Sequence, residues 1–115
     1  MDIDLGLQMT EDTYEIQHLW DWHERDHSQN FGYKISTLGR HRTEDLILYV
    51  MVEYRGMRTI FAFSFEKLHL HQTRWCDGGR INITKSLKKA IVKHFSSRLG
   101  SVSYESITHS YWMGL

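Results

Sequence analysis

The chain contains no proline, a single cysteine, and no apolar run approaching the roughly eighteen residues that a membrane span needs. Without proline, turns must come from Gly, Asn, Asp and Ser, and no Pro/Ser-rich linker divides the sequence. One cysteine, Cys76, rules out an internal disulfide and with it the small stapled scaffolds of oxidising compartments. The start, MDIDLGLQM, is acidic and lacks the basic opening of a signal peptide. The expectation from these absences is a soluble, cytoplasmic protein with no membrane partner. No nucleotide-binding glycine loop and no nucleophile elbow occurs, and no internal repeat is visible.

What is present suits one unit. The 115 residues are 41% hydrophobic with fifteen aromatics, enough for a core without staples, so a single domain over 1–115 is expected. Net charge is zero, but the charges are segregated. Residues 1–30 carry eight acids against one base, Arg25, whereas residues 78–115 carry six bases against one acid, Glu105. Such polarity either faces a charged partner or neutralises itself where the two ends meet.

Hydrophobic periodicity predicts the elements. Residues 11–27 read as a helix with Thr10 as N-cap and acids in the first turn. Ile16, Leu19, Trp20, His23 and His27 fall on one stripe, with His18, Asp21 and Arg25 opposite. A short strand is expected over 33–38. The nearly continuous apolar run at 46–54 suits a central strand covered on both faces. Arg55-Gly56 signals a tight turn into a strand with Phe61, Phe63 and Phe65 on one side, which makes a hairpin over 46–66. Residues 68–75 continue as strand or loop. A second helix is expected over 84–99, capped by Thr84 or Asn82 and ended by Gly100. Its apolar stripe is Leu87, Ala90, Ile91, Phe95 and Leu99; Lys85, Lys89 and Lys93 form the opposing ridge, with Lys88 on its flank. The tail is a last strand or a docking segment. The expected class is α+β: a small antiparallel sheet of three to five strands with two helices packed against it, in the order α-β-β-β-α plus an optional C-terminal strand.

Three patterns carry chemistry. His23-Glu24-Arg25-Asp26-His27 is an HExxH pentapeptide, which resembles the zincin metalloproteases. On a helix, histidines at i and i+4 share a face and grip one zinc while the glutamate activates bound water. The resemblance implies His23 and His27 as ligands and Glu24 as general base of a small zinc hydrolase. Asn30 and Tyr33 stand where the extended form of that signature has Gly and His, and both histidines also complete the stripe begun by Ile16 and Trp20. The expectation is therefore no metal, no cofactor and no catalytic residue. His41-Arg42-Thr43 and His71-Gln72-Thr73 form two H-x-T triplets, similar to the two-histidine phosphoesterases. Finally, Arg80, Lys85, Lys88, Lys89 and Lys93 make a basic helix that suits phosphate tracking along a duplex. With the expected element order, this resembles a double-stranded RNA-binding domain, which implies A-form recognition by those five residues.

The leading expectation is a small non-enzymatic binding or regulatory protein. It would act as an inhibitor or modulator that meets a protein partner through a charged helix face. Asp12, Glu15, Asp21 and Glu24 on the first helix, with Tyr111 and Trp112 in the tail, are the residues expected to touch that partner. Nucleic-acid binding through the lysine helix is the alternative.

Overall fold

A two-residue turn fixes the centre of the molecule. In the computed structural model, which describes residues 26–41 and 44–114, β3 (Glu44–Tyr54) and β4 (Met57–Ser64) are joined through Arg55 and Gly56, at φ 51 and φ 81. Two left-handed residues in a row give the hairpin turn whose twist matches that of the strands it joins. Phe31 and Gly32, at φ 55 and φ 84, repeat the device between β1 (Asp26–Asn30) and β2 (Tyr33–His41). With β5 (His69–Asp77), these strands make a five-stranded antiparallel meander. The sixth strand, β6 (Thr108–Ser110), joins the free edge of β5 in parallel.

The expected hairpin over 46–66 is present, with Leu48 opposite Phe63 and Val50 opposite Phe61. The two-helix α+β class is overturned. Among the described residues the sheet has six strands and is mixed, and there is one long helix, α1 (Lys85–His94). After it come only the four-residue α2 (Ser96–Leu99) and a 3-10 turn, Tyr104–Ser106. Two errors caused the mismatch. Asp26 and His27, expected at the end of the first helix, are extended in β1, an edge strand reading Asp-His-Ser-Gln-Asn. A polar edge has no hydrophobic alternation to betray it. The β5–β6 pairing then joins residues about forty apart, which no local pattern encodes. The topology implied by the double-stranded RNA-binding resemblance falls with the class. Residues 11–25 of the expected first helix lie outside the described residues.

The second helix is shorter than expected but starts where its cap predicts. Thr84 Oγ1 accepts the Leu87 N–H at 3.1 Å and also meets Tyr33 Oη at 3.0 Å, tying the helix start to β2. Phe95, at φ −103 and ψ 23, interrupts the helix, and Gly100, at φ 65, closes α2. Leu87, Ala90, Ile91 and Phe95 are buried against one face of the sheet, built from Tyr33, Ile35, Val50, Phe61, Phe63 and Leu70. Phe63 and Phe95 stack with centroids 5.6 Å apart. The opposite face carries a second cluster of buried residues, Leu38, Tyr49, Met51 and Ile60, with Ala62 and Trp75 packed against it. Residues 48–52 are buried without a break, so β3 is the doubly covered strand that its run of apolar residues predicts.

Gly78 is the glycine the geometry demands most. Its φ is 81, and a Cβ there would sit 2.5 Å from the Gly56 carbonyl oxygen, so the β5 exit packs directly on the central hairpin turn.

Candidate functional site

Burying one stripe of α1 forces the other outward. Lys85, Lys89 and Lys93 are exposed and Lys88 is half-buried. The i, i+4, i+8 spacing lays three ammonium groups along about 12 Å of helix. Among the described residues, none of these four lysines is in an ion pair. Lys89 lies over the Tyr104 ring at 5.1 Å, its only ring contact among the described residues. The expected basic set thus shares one exposed surface, and Arg80 extends it toward the tail. Arg80 Nε donates to Gln72 Oε1 at 2.8 Å, and its guanidinium lies 4.4 Å from the Tyr111 ring centre. Tyr111 is half-buried and its hydroxyl accepts the Ile83 N–H at 2.7 Å. Trp112, also half-buried, lies under Arg74 at 5.5 Å. The tail aromatics therefore form a border beside the basic surface, each under a cation. Their partner-binding companions Asp12, Glu15, Asp21 and Glu24 lie outside the described residues, as does His23.

The HExxH reading needs both histidines on one helical turn. His27 is exposed in the extended β1, so the i, i+4 geometry that would make it a zinc ligand is absent at that residue. Of the H-x-T pairs, Thr73 is committed elsewhere. It is buried in the β4–β5 bulge, where its Oγ1 donates to the Ile60 carbonyl at 2.6 Å and accepts from the Trp75 N–H at 3.3 Å.

Beside the lysine helix lies a constellation that reading the sequence missed. The parallel β5–β6 register puts His69 beside Thr108 and His71 beside Ser110, all on one face of the edge. The two His69 ring nitrogens meet Thr108 Oγ1 and Ser110 Oγ at 2.6 and 2.7 Å, and His71 Nδ1 meets the same Ser110 hydroxyl at 2.8 Å. Partial burial lowers the His69 pKa, and His109, Lys67 and Lys88 push it the same way. His69 is therefore held neutral, and the positive charge of this edge belongs to its lysines. Lys88 acts on His69 across the seam, so the histidine–hydroxyl edge lies beside the lysine surface. The ammonium groups of this region suit an anionic partner, while the two hydroxyls are held by the histidine rings. The signal was the period-2 spacing of H-x-H at 69–71 and T-x-S at 108–110; only their pairing was hidden.

A second histidine closes the far end of α1. The His94 side chain is 2% exposed, with Nδ1 at 2.7 Å from Ser28 Oγ, Nε2 at 2.8 Å from Thr37 Oγ1, and Asp26 Oδ1 at 3.6 Å from Nε2. Burial lowers its pKa, partly opposed by Asp26 and reinforced by His27. The three side chains superficially suggest a Ser-His-Asp set. However, Thr37 occupies the nitrogen that faces Asp26, and the carboxylate stands beyond hydrogen-bonding distance. The ring works as a pin between α1, β1 and β2.

No helix among the described residues is long and apolar enough to cross a membrane. No protein-family profile matches the chain, and no curated protein or solved structure is significantly similar to it.

Proposed function

We propose that this is a small binding protein that engages an acidic surface of a protein partner through the exposed face of α1, acting as an inhibitor or modulator. One observation carries the reading: Lys85, Lys88, Lys89 and Lys93 share a helix whose other side is fixed in the core, and among the described residues no carboxylate neutralises them. A row of ammonium groups on one helix face, with no carboxylate beside it among the described residues, is pre-organised for an anionic partner. The half-buried Tyr111 and Trp112 at its border add aromatic anchors of the kind that dominate interface energetics.

A photo-crosslinking side chain at the exposed Ser86, introduced into the full chain in its native host, tests the proposal. The expected result is a covalent adduct with an acidic protein, lost when Lys85, Lys89 and Lys93 are changed together to Glu. Adducts that persist through that charge reversal would remove α1 as the docking face.

The linear spacing of the lysines favours a second reading, a duplex nucleic acid, because successive ammonium groups then meet successive phosphates. Titration with duplex RNA over a range of salt concentration separates the two. If the second reading holds, changing Lys85, Lys89 and Lys93 to Ala makes the log–log salt slope shallower by about three. No affinity at low salt excludes it.

A further inference from the structure

Two strained turns lie side by side at one end of the sheet. Phe31-Gly32 joins β1 to β2 and Arg55-Gly56 joins β3 to β4, and the Tyr33 and Tyr54 rings that flank these turns stack with centroids 4.3 Å apart. A hairpin turn with two left-handed residues favours Asn, Asp or Gly at the first of them. Here that position holds Phe31, at φ 55, and Arg55, at φ 51. Bulky side chains are uncommon there, and backbone outliers of this kind collect at ligand clamps. The core uses neither side chain: Phe31 is 49% exposed, and Arg55 is exposed as well.

Gly32, Arg55 and Gly56 border a cleft of about 300 Å³, large enough for a small ligand. The cleft is built from described residues, and Asp26, His41 and Glu44 stand at the other ends of its strands. Three cations, Lys34, Arg55 and Arg58, line it against one carboxylate, Glu53. Their commitments differ. Arg58 donates to Asp77 Oδ2 at 2.6 Å. Lys34 faces Glu53 at 3.7 Å, beyond hydrogen-bonding distance. Among the described residues Arg55 is in no ion pair, and its guanidinium lies 5.0 Å from the centre of the Tyr54 ring. Tyr54 gives the cleft an aromatic wall, and Gln29 adds an amide. A guanidinium and an ammonium suit the oxygens of a phosphate, and an aromatic wall suits a flat ring.

We propose that this cleft binds a small phosphate ester that carries a flat ring, a ligand of mononucleotide size. Its phosphate meets Arg55 and Lys34, and its ring packs beside Tyr54. The left-handed backbone at Arg55 is then the means of aiming a guanidinium over the cleft. The inference does not need the proposed function, because no residue of α1 lines this site.

An amide-detected NMR titration of the full chain with adenosine monophosphate at low salt decides it. The expected result is a saturating shift of the Gly32 and Gly56 backbone amides and of the Gln29 side-chain amide. Adenosine alone and inorganic phosphate alone should each bind more weakly. Arg55→Asn should weaken binding by about ten- to a hundredfold, the loss of a hydrogen-bonded charge. The same change should raise the urea midpoint, because Asn tolerates the left-handed conformation that Arg55 adopts. Loss of affinity in a more stable protein separates a ligand contact from a structural one. Changing Lys85, Lys89 and Lys93 together to Ala should leave the cleft titration unchanged. No shift around the cleft, shifts confined to α1, equal affinity for adenosine, or unchanged affinity in Arg55→Asn would each overturn the proposal.

Discussion

The two faces of the sheet are equally buried but differently made. Under α1, the apolar residues come from strands whose periodicity is plain and from a helix with a cap, a stripe and a stop. Opposite, the buried set of Leu38, Tyr49, Met51 and Ile60 is smaller and mixes aromatic, thioether and aliphatic groups around the unpartnered Ser36 hydroxyl. The first face is closed by chain that follows the strands. A central strand such as β3 exposes apolar residues on both sides of the pleat, and a single ten-residue helix covers one side only.

Truncations on the two faces break or sharpen that comparison. The largest effect is expected for Phe63→Ala on the α1 face. Phe63 is fully buried, stacks on Phe95 and meets Phe65 edge to face, so its loss should cost about 3–5 kcal/mol in urea unfolding. Ile60→Ala on the opposite face should cost about 2–5 kcal/mol if that face is covered as tightly as its burial states. A cost of only a few tenths would mean that nothing packs there. The combination of Ile60→Ala with Met51→Ala sharpens the test. Met51 and Ile60 lie opposite each other on one face and should show a coupling of about 0.5–3 kcal/mol, whereas Phe63→Ala combined with Met51→Ala, on opposite faces, should be additive to within about 0.5 kcal/mol.

What could be read from the sequence follows the same division. The hairpin at Arg55-Gly56, the phenylalanine side of β4, the doubly covered β3 and the Thr84 cap are all local, and each appears where its pattern places it. The lysine surface was legible for the same reason: four lysines on one helix have only one place to go once Leu87 and Ile91 are buried. The edges of the sheet were not legible. β1 is polar and signals itself only through Phe31-Gly32, which looks like a break in a helix rather than a turn between strands. β6 is three residues long and depends on a partner far away in sequence. The histidine–hydroxyl edge inherits that blindness, because His69 and Ser110 become neighbours only through the non-local pairing.

The smallest expected effect concerns the seam between the α1 face and β1, where His94 holds Ser28 and Thr37. Burial favours the neutral ring, so its folded pKa lies below its unfolded value of about 6.5. The unfolded chain therefore binds the proton more readily over the interval between the two values, and stability falls as the pH falls across it. The contribution is complete above the unfolded pKa and is lost as the pH drops through the folded one. His69, shifted in the same direction, adds to the slope. Urea midpoints measured from pH 7.5 down to 5 should decline, and His94→Gln should flatten the decline by removing the titrating ring. Asp26 gives the sharper discrimination. Its carboxylate, 3.6 Å from the ring, partly offsets the desolvation. Asp26→Asn should therefore depress the His94 pKa further and steepen the acid loss, even though it removes a group on an exposed edge strand. A midpoint that is insensitive to pH in the parent chain, or a shallower decline in Asp26→Asn, would show that the ring is free to charge in the folded state and that the seam is not pinned by a neutral histidine.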